Sequence, residues 1–262
     1  MNPEVTVFKT AIVRKPGSNF FQGLTTVKGP PPDYEKALGQ HEAYCAALER
    51  CGLRLMRLPP DLGYPDSTFV EDTAVLTPDF AVLTRPGARS RAGEVATITE
   101  PLKQFLNEIQ EITEPGTLDG GDVCQAGEHF FIGISHRTND EGARQLSRLL
   151  AERGYSSSLI DIRPIKGILH LKSGMAWLGE GRLVVSQLLA AFTSFRDYEL
   201  IPVSGEESYA ANCVRVNEYV LLPAGFPNVA SRLARMGYKA LPLEISEFRK
   251  MDGGLSCLSL RF

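Results

Sequence analysis

The chain has little of what builds crosslinked or metal-stapled scaffolds. Its 262 residues include five cysteines, four histidines and one tryptophan. The cysteines, Cys45, Cys51, Cys124, Cys213 and Cys257, are odd in number and irregularly spaced, and no CxxC pair occurs. A disulfide framework or a structural zinc site is therefore poorly supported, and reduced thiols in a reducing compartment fit better. No apolar run approaches the roughly 20 residues of a membrane span. The opening "MNPEVTVFKTAIVRKPG" lacks the basic segment and apolar stretch of a secretory leader, so a cytoplasmic location is expected. With a net charge of −3 there is no basic footprint for nucleic acid. Neither a membrane nor a nucleic acid is expected as partner.

What the chain does have is repetition. "ALERCGLRLMRLPPD", "LLAERGYSSSLIDIRP" and "LARMGYKALPLEIS" each read as a helix end, a glycine and an extended apolar run. Gly52, Gly154 and Gly237 take the helix C-cap position, where a left-handed backbone costs glycine little. A second set reads as β-hairpins, with turns at Pro78-Asp79, Gly127-Glu128, Gly179-Glu180 and Asn217-Glu218. The terminal "CLSLRF" and the early "FKTAIVRKPG" supply the halves of a fifth. Helices follow most hairpins. In the first, Ala37, Leu38, His41, Tyr44, Cys45 and Leu48 share a face. In another, Thr138 and Glu141 have capping-box spacing. Only "QLLAAFTSFRDYEL" is ambiguous.

The unit is hairpin, helix, strand, about five times over, with hairpin starts near Asp72, Asp122, His170, Asn212 and Cys257 at intervals of 42 to 50 residues. No linker or low-complexity run separates the units. Repetition in which each unit leans on its neighbours predicts one propeller-like domain over residues 1–262, closed by pairing tail with head. Equivalent positions of successive units then face one central point. These positions carry Glu71 and Asp72, Asp119 and Asp122, His170, Asn212 and Cys257. Taken singly, each has an ordinary reading: a turn-capping Asp, a core histidine, a buried small thiol. Together they form a chemical set. The thiolate is a nucleophile, the histidine moves protons near neutral pH, and a carboxylate orients it. The remaining acids would repel one another unless a cation joined them, and a planar guanidinium forms paired hydrogen bonds with carboxylates.

At these residues the chain resembles the dimethylarginine dimethylaminohydrolases of the guanidino-modifying superfamily. The resemblance runs through "GLTT", "PDSTFVEDTAV", "TRPGARSRAGE", "PGTLDGGD", "RTNDEGAR", "HLKSG", "ESYAANC" and "DGGLSCLSLRF". It implies an α/β fold, a five-bladed β/α propeller of ββαβ repeats. It implies Cys257 as nucleophile, His170 as general acid and base, and Asp119 as the carboxylate behind it, where some relatives have Glu. It places Glu71, Asp72 and Asp66 at the substrate's guanidinium, Arg91 and Arg137 at its α-carboxylate, and Leu24 and Met251 at its amino-acid end. The implied reaction is hydrolysis of Nω,Nω-dimethyl- or monomethyl-arginine, a small guanidino amino acid, to citrulline and an amine through a covalent thiouronium. It needs no cofactor and no metal. Three alternatives stay open: an arginine deiminase-like enzyme, a citrulline-hydrolysing relative, and a propeller that binds a partner without catalysis. Against a deiminase, Lys172 stands where those enzymes carry the second acid of a His-x-Asp pattern. A ring with polar outer helices can stand alone or pair as a homodimer.

Overall fold

A computed structural model describes residues 7–262. It contains five three-stranded sheets, each built on one plan. The strands are β1 (Thr10–Arg14), β2 (Arg54–Leu58), β3 (Ala74–Leu76), β4 (Phe80–Leu83), β5 (Glu108–Glu111), β6 (Val123–Ala126), β7 (His129–Ile134), β8 (Ser156–Asp161), β9 (Met175–Trp177), β10 (Arg182–Ser186), β11 (Glu199–Val203), β12 (Val214–Val216), β13 (Tyr219–Pro223), β14 (Lys239–Leu243) and β15 (Leu260–Arg261). Four blades read β3-β4-β5, β6-β7-β8, β9-β10-β11 and β12-β13-β14, and the fifth joins β15 to β1 and β2. In every blade the first pair is antiparallel and the second parallel. An antiparallel pair closes with a tight turn, whereas a parallel pair needs a crossover. That is why each hairpin is followed by a longer segment before the third strand.

The turns fall where the hairpin pattern put them. Asn217 and Glu180 sit at φ 55° and 54°, as the tight reversals require. The central strands are mainly apolar because both faces are covered: Thr10–Arg14 and Phe80–Leu83 are buried throughout. The crossovers are α1 (Tyr34–Arg50), α2 (Ala96–Lys103), α3 (Asp140–Ala151) and α4 (Pro227–Arg235), with a short α5 (Ser246–Arg249) leading into the last turn. Gly52, Gly154 and Gly237 hold positive φ after α1, α3 and α4.

Two expectations are corrected and one open stretch is resolved. The cap of α3 is Asn139, whose side chain accepts from Gly142 N at 2.8 Å. Thr138 instead donates to the buried Asp122, a stronger charge-assisted bond, so the box with Glu141 does not form. Leu38 is half-buried on α1, and Gln40 and Ala47 complete the covered face. The blade of β10 and β11 is crossed by bends and a single short turn at Thr193–Phe195. Its core is filled by side chains rather than a helix: Leu189 and Phe195 are fully buried, and Phe131 meets Phe195 with ring centroids 5.0 Å apart.

The ring closes through the chain ends. Ala11 pairs with Arg261 and Ile12 with Leu260, while Lys9 N and Thr10 N donate to Phe262 O at 2.9 and 2.8 Å. The inner strands of the blades surround an axial cavity of about 240 Å³. Glu71, Lys172, Ser256 and Arg261 line it, whereas Asp72, Asp119, His170 and Cys257 do not. Among the described residues no helix is long and apolar enough to cross a membrane.

Candidate active site

Each blade begins with a tight turn before its inner strand: Val70–Thr73, Gly120–Asp122, Leu171–Ser173, Gly205–Ala211 and Ser256–Leu258. These turns carry or adjoin the polar residues singled out by the repeat. The "DGG" of the second turn is dictated by crowding. A Cβ on Gly120 would lie 2.0 Å from Glu71 O, and one on Gly121 would lie 2.8 Å from both Asp72 Oδ1 and His170 Nδ1. Bare backbone lets Gly121 N donate to Asp72 Oδ1 at 2.9 Å.

His170 and Asp119 meet as expected: Nε2 is 3.0 Å from Oδ2, with both side chains buried. The Asp in place of a longer Glu reaches the imidazole without difficulty. Its other oxygen accepts from Gly87 N at 2.8 Å. Asp72, Asp119 and His170 each offer one ligand atom within 4.8 Å of the others. Burial works against a charged His170, but Asp72, Asp122 and the hydrogen-bonded Asp119 outweigh it and raise the imidazolium to about 9. Burial likewise opposes a charged Asp72, yet His170 and Arg91 hold it down to about 2. The imidazolium and Arg91 offset part of this negative charge, while Glu71 and Asp72 still act on the Cys257 thiol.

Cys257 is the one cysteine with partial exposure, and the other four are buried. Burial, then the charges of Glu71 and Asp72, push its thiol up to about 12. Both shifts favour the thiol at Cys257 and the imidazolium at His170. Its turn is fastened through Ser256, which donates to Glu71 Oε2 at 2.8 Å and lies 4.0 Å from the sulfur. Glu71 is fully engaged by the protein, with Lys172 Nζ 2.6 Å from Oε1.

Arg91 is buried rather than solvated. Nη1 donates to Asp72 at 2.5 Å, Nε and Nη2 grip Glu94 at 3.0 and 2.7 Å, and Nη2 also reaches Phe69 O at 3.1 Å. Arg137 is half-buried and differs: its Nη1 is enclosed without a hydrogen-bond partner, 3.9 Å from Asp119. Leu24 is exposed, with its N–H donating to both oxygens of Asp66 at 3.0 and 3.1 Å. Burial raises the Asp66 carboxyl above its usual range, against the pull of Arg91. Thr25 and Thr26 tie the Leu24 segment to Lys250 and Asp252, which flank the buried Met251.

Two supporting residues lay outside the set read from the resemblance. Glu94 holds Arg91, and nothing in its sequence surroundings distinguishes it from a helical surface acid. Asp122, at the right repeat position but with no role attached, accepts from Leu171 N at 2.9 Å and from Ser135 and Thr138 at 2.6 Å each. It thereby ties the His170 turn to the loop that carries Arg137.

No family model matches the chain. Similar proteins are plain, however. An N(G),N(G)-dimethylarginine dimethylaminohydrolase of Pseudomonas aeruginosa is 44% identical over 98% of this chain and 100% of its own. One of Streptomyces coelicolor is 34% identical over 97% and 96%. The Pseudomonas aeruginosa enzyme, solved as a cysteine-to-serine mutant complexed with citrulline, superposes with TM-score 0.95 over 98% of this chain and 100% of that one. The N-terminal domain of ArgZ, a cyanobacterial arginine dihydrolase, shares the fold at TM-score 0.86 with 18% identity, covering 96% and 97%. Sequence and architecture agree over nearly the full length, and the chain belongs to the dimethylarginine dimethylaminohydrolase family.

Proposed function

We propose that the protein hydrolyses Nω-methylated arginine to citrulline and methylamine or dimethylamine, with Cys257 as nucleophile. The observation that carries this is the meeting of turns from different blades. Asp72, Asp119 and His170 lie within 4.8 Å of one another, and Ser256, adjacent to Cys257, donates to Glu71 Oε2 at 2.8 Å, adjacent to Asp72. The dimethylarginine dimethylaminohydrolases of Pseudomonas aeruginosa and Streptomyces coelicolor, 44% and 34% identical, support it.

The guanidinium carbon is a poor electrophile because its charge is delocalised, so the reaction is divided into two steps. Asp72 and its neighbouring acids attract the flat cation. Its positive charge offsets the acids that hold the Cys257 proton in place, and the thiol loses that proton to solvent. The thiolate attacks the guanidinium carbon. His170, already protonated, gives its proton to the departing amine as the C–N bond breaks. A thiouronium remains. Neutral His170 then takes a proton from water and the hydroxide adds to the same carbon. Collapse breaks the C–S bond while the new hydroxyl's proton passes to the departing Cys257 sulfur, leaving citrulline and the free thiol. Asp119 holds the imidazole in one orientation throughout and stabilises its charged form. The orphaned Nη1 of Arg137 is a donor awaiting an anion and suits the substrate α-carboxylate. Arg91, Asp66, Glu71, Leu24 and Met251 complete the binding wall in this reading. The unpaired thiols fit a reducing, cytoplasmic setting.

The test is amine and citrulline release from asymmetric dimethylarginine, monomethylarginine and arginine, with Cys257→Ser alongside. The methylated substrates should turn over, and the variant should bind them and stall. Preference for free arginine would make the protein deiminase-like. Substantial turnover by Cys257→Ser would remove the sulfur from its role, and binding without turnover by the native chain would leave a binding propeller.

A further inference from the structure

The catalytic residues stand on separate blades, so something must hold the turns in register. Asn212 lies at the equivalent position of the one blade that contributes no residue to the proposed chemistry. It is 3% exposed. Its amide bonds two other turns at once. Nδ2 donates to Lys172 O at 2.7 Å, in the turn that follows His170, and to Ser256 Oγ at 3.0 Å. Oδ1 accepts from Ser256 N at 3.1 Å, one residue before Cys257. The fit is close: a Cβ on Gly254 would come within 2.4 Å of Asn212 Oδ1.

These bonds complete a closed circuit. Lys172 Nζ donates to Glu71 Oε1 at 2.6 Å, Ser256 Oγ donates to Glu71 Oε2 at 2.8 Å, and Asn212 joins Ser256 back to Lys172. Each member is one or two residues from a residue of the proposed chemistry: Glu71 from Asp72, Lys172 from His170, Ser256 from Cys257. Asn212 is the only side chain of the circuit that bonds to backbone atoms of both the His170 and Cys257 turns. A carboxamide is the group this needs, because it presents donors and an acceptor on one rigid plane without adding charge beside a thiol that must ionise.

We propose that Asn212 is a positioning residue for the hydrolysis, setting the nucleophile's turn against the turn of the general acid. This rests on the assignment of Cys257 and His170 above. Its effect falls on the geometry of attack, and a displacement of an ångström costs about 100-fold in rate. Asn212→Ala should therefore lower kcat for dimethylarginine by about 100-fold and change KM by less than about 3-fold, since the Asn212 amide is taken up by Lys172 and Ser256. Asn212→Asp keeps the shape and the acceptor for Ser256 N but lacks the amide donors and brings a negative charge. It should lose turnover too, and the pH dependence of Cys257 alkylation by iodoacetamide should move to higher pH. Ser256→Ala added to Asn212→Ala should cost little beyond the single change, because both break one circuit.

Melting curves establish that each variant is folded. If folded Asn212→Ala and Asn212→Asp retain kcat within about 3-fold of the native chain, or lose only KM, the proposal is overturned. If neither folds, Asn212 serves the fold alone and the proposal is equally removed. Cys257→Ser in the same assay separates this from the wider reading. An inert Cys257→Ser beside a fully active Asn212→Ala removes only the role of Asn212, whereas an active Cys257→Ser removes the reading beneath it.

Discussion

His170 Nε2 lies 3.0 Å from Asp119 Oδ2, although the two residues are 51 positions apart and belong to different blades. The pair is sealed, with Asp119 wholly buried. A carboxylate so placed stabilises the imidazolium and fixes the ring.

Replacing that carboxylate by a neutral amide tests its part. Asp119→Asn should lower kcat by about 100-fold to 10,000-fold. His170 must be protonated to release the amine, so the alkaline limb of kcat follows its raised value of about 9. Loss of a negative neighbour should bring that limb to lower pH. An unmoved limb in the kcat profile would show that Asp119 does not set the charge of His170.

The same shift has a stability consequence. A folded-state value of about 9 against an ordinary 6.5 gives stabilisation that is fully present below pH 6.5 and is lost as pH rises through 9. His41 has the opposite sign. Burial lowers it to about 4, so the unfolded chain binds a proton that the folded one refuses between pH 6.5 and 4. Stability is lost as pH falls across that window. His41→Gln removes the term, and its unfolding free energy relative to the native chain should improve by about 2–3 kcal/mol between pH 7 and pH 4. Urea titrations at several pH values measure this; a difference independent of pH would contradict a neutral buried His41.

Gly121 should tolerate no side chain. Gly121→Ala places a methyl 2.8 Å from Asp72 Oδ1 and His170 Nδ1, with no backbone strain to relieve. The expected cost is about 1–3 kcal/mol in stability and about 100-fold in kcat from the displaced pair. Activity near the native level would mean that the imidazole and Asp72 can part without loss.

Arg137 is expected to act on binding. Arg137→Ala should raise KM for dimethylarginine by about 10-fold to 100-fold, as loss of a charged hydrogen bond implies. Its kcat should change far less. An analogue lacking the α-carboxylate should be handled alike by variant and native chain. Equal KM values for the amino acid itself would take the carboxylate away from Arg137.

For thiol access, native-state alkylation read by mass spectrometry should label Cys257 before Cys45, Cys51, Cys124 or Cys213, because only its side chain is partly open. Substrate should protect it. Labelling of another thiol first would place the reactive sulfur elsewhere.

The repeat was legible in the residues because each blade obeys local rules. Asn217-Glu218 and Gly179-Glu180 announce turns, Gly52 and Gly154 announce helix ends, and strands such as Phe80–Leu83 are apolar because they are covered on both faces. The same periodicity put Asp72, Asp122, His170, Asn212 and Cys257 in phase. It overreached at Thr138, where a buried carboxylate competes with the helix for the hydroxyl, and it left open the stretch from Leu188 to Phe195, where packed aromatics stand in place of a crossover helix.

What the sequence alone determined was therefore the unit, its number and the chemical kinds that converge, since periodicity, turn chemistry and residue type are local properties of a chain. Only the tertiary structure decided which atoms pair: Asp119 with His170, Glu94 with Arg91, Asn212 with two turns at once. Those choices depend on distances between segments tens of residues apart, and on the withdrawal of water that turns a neighbouring charge into a raised imidazole or a suppressed thiol.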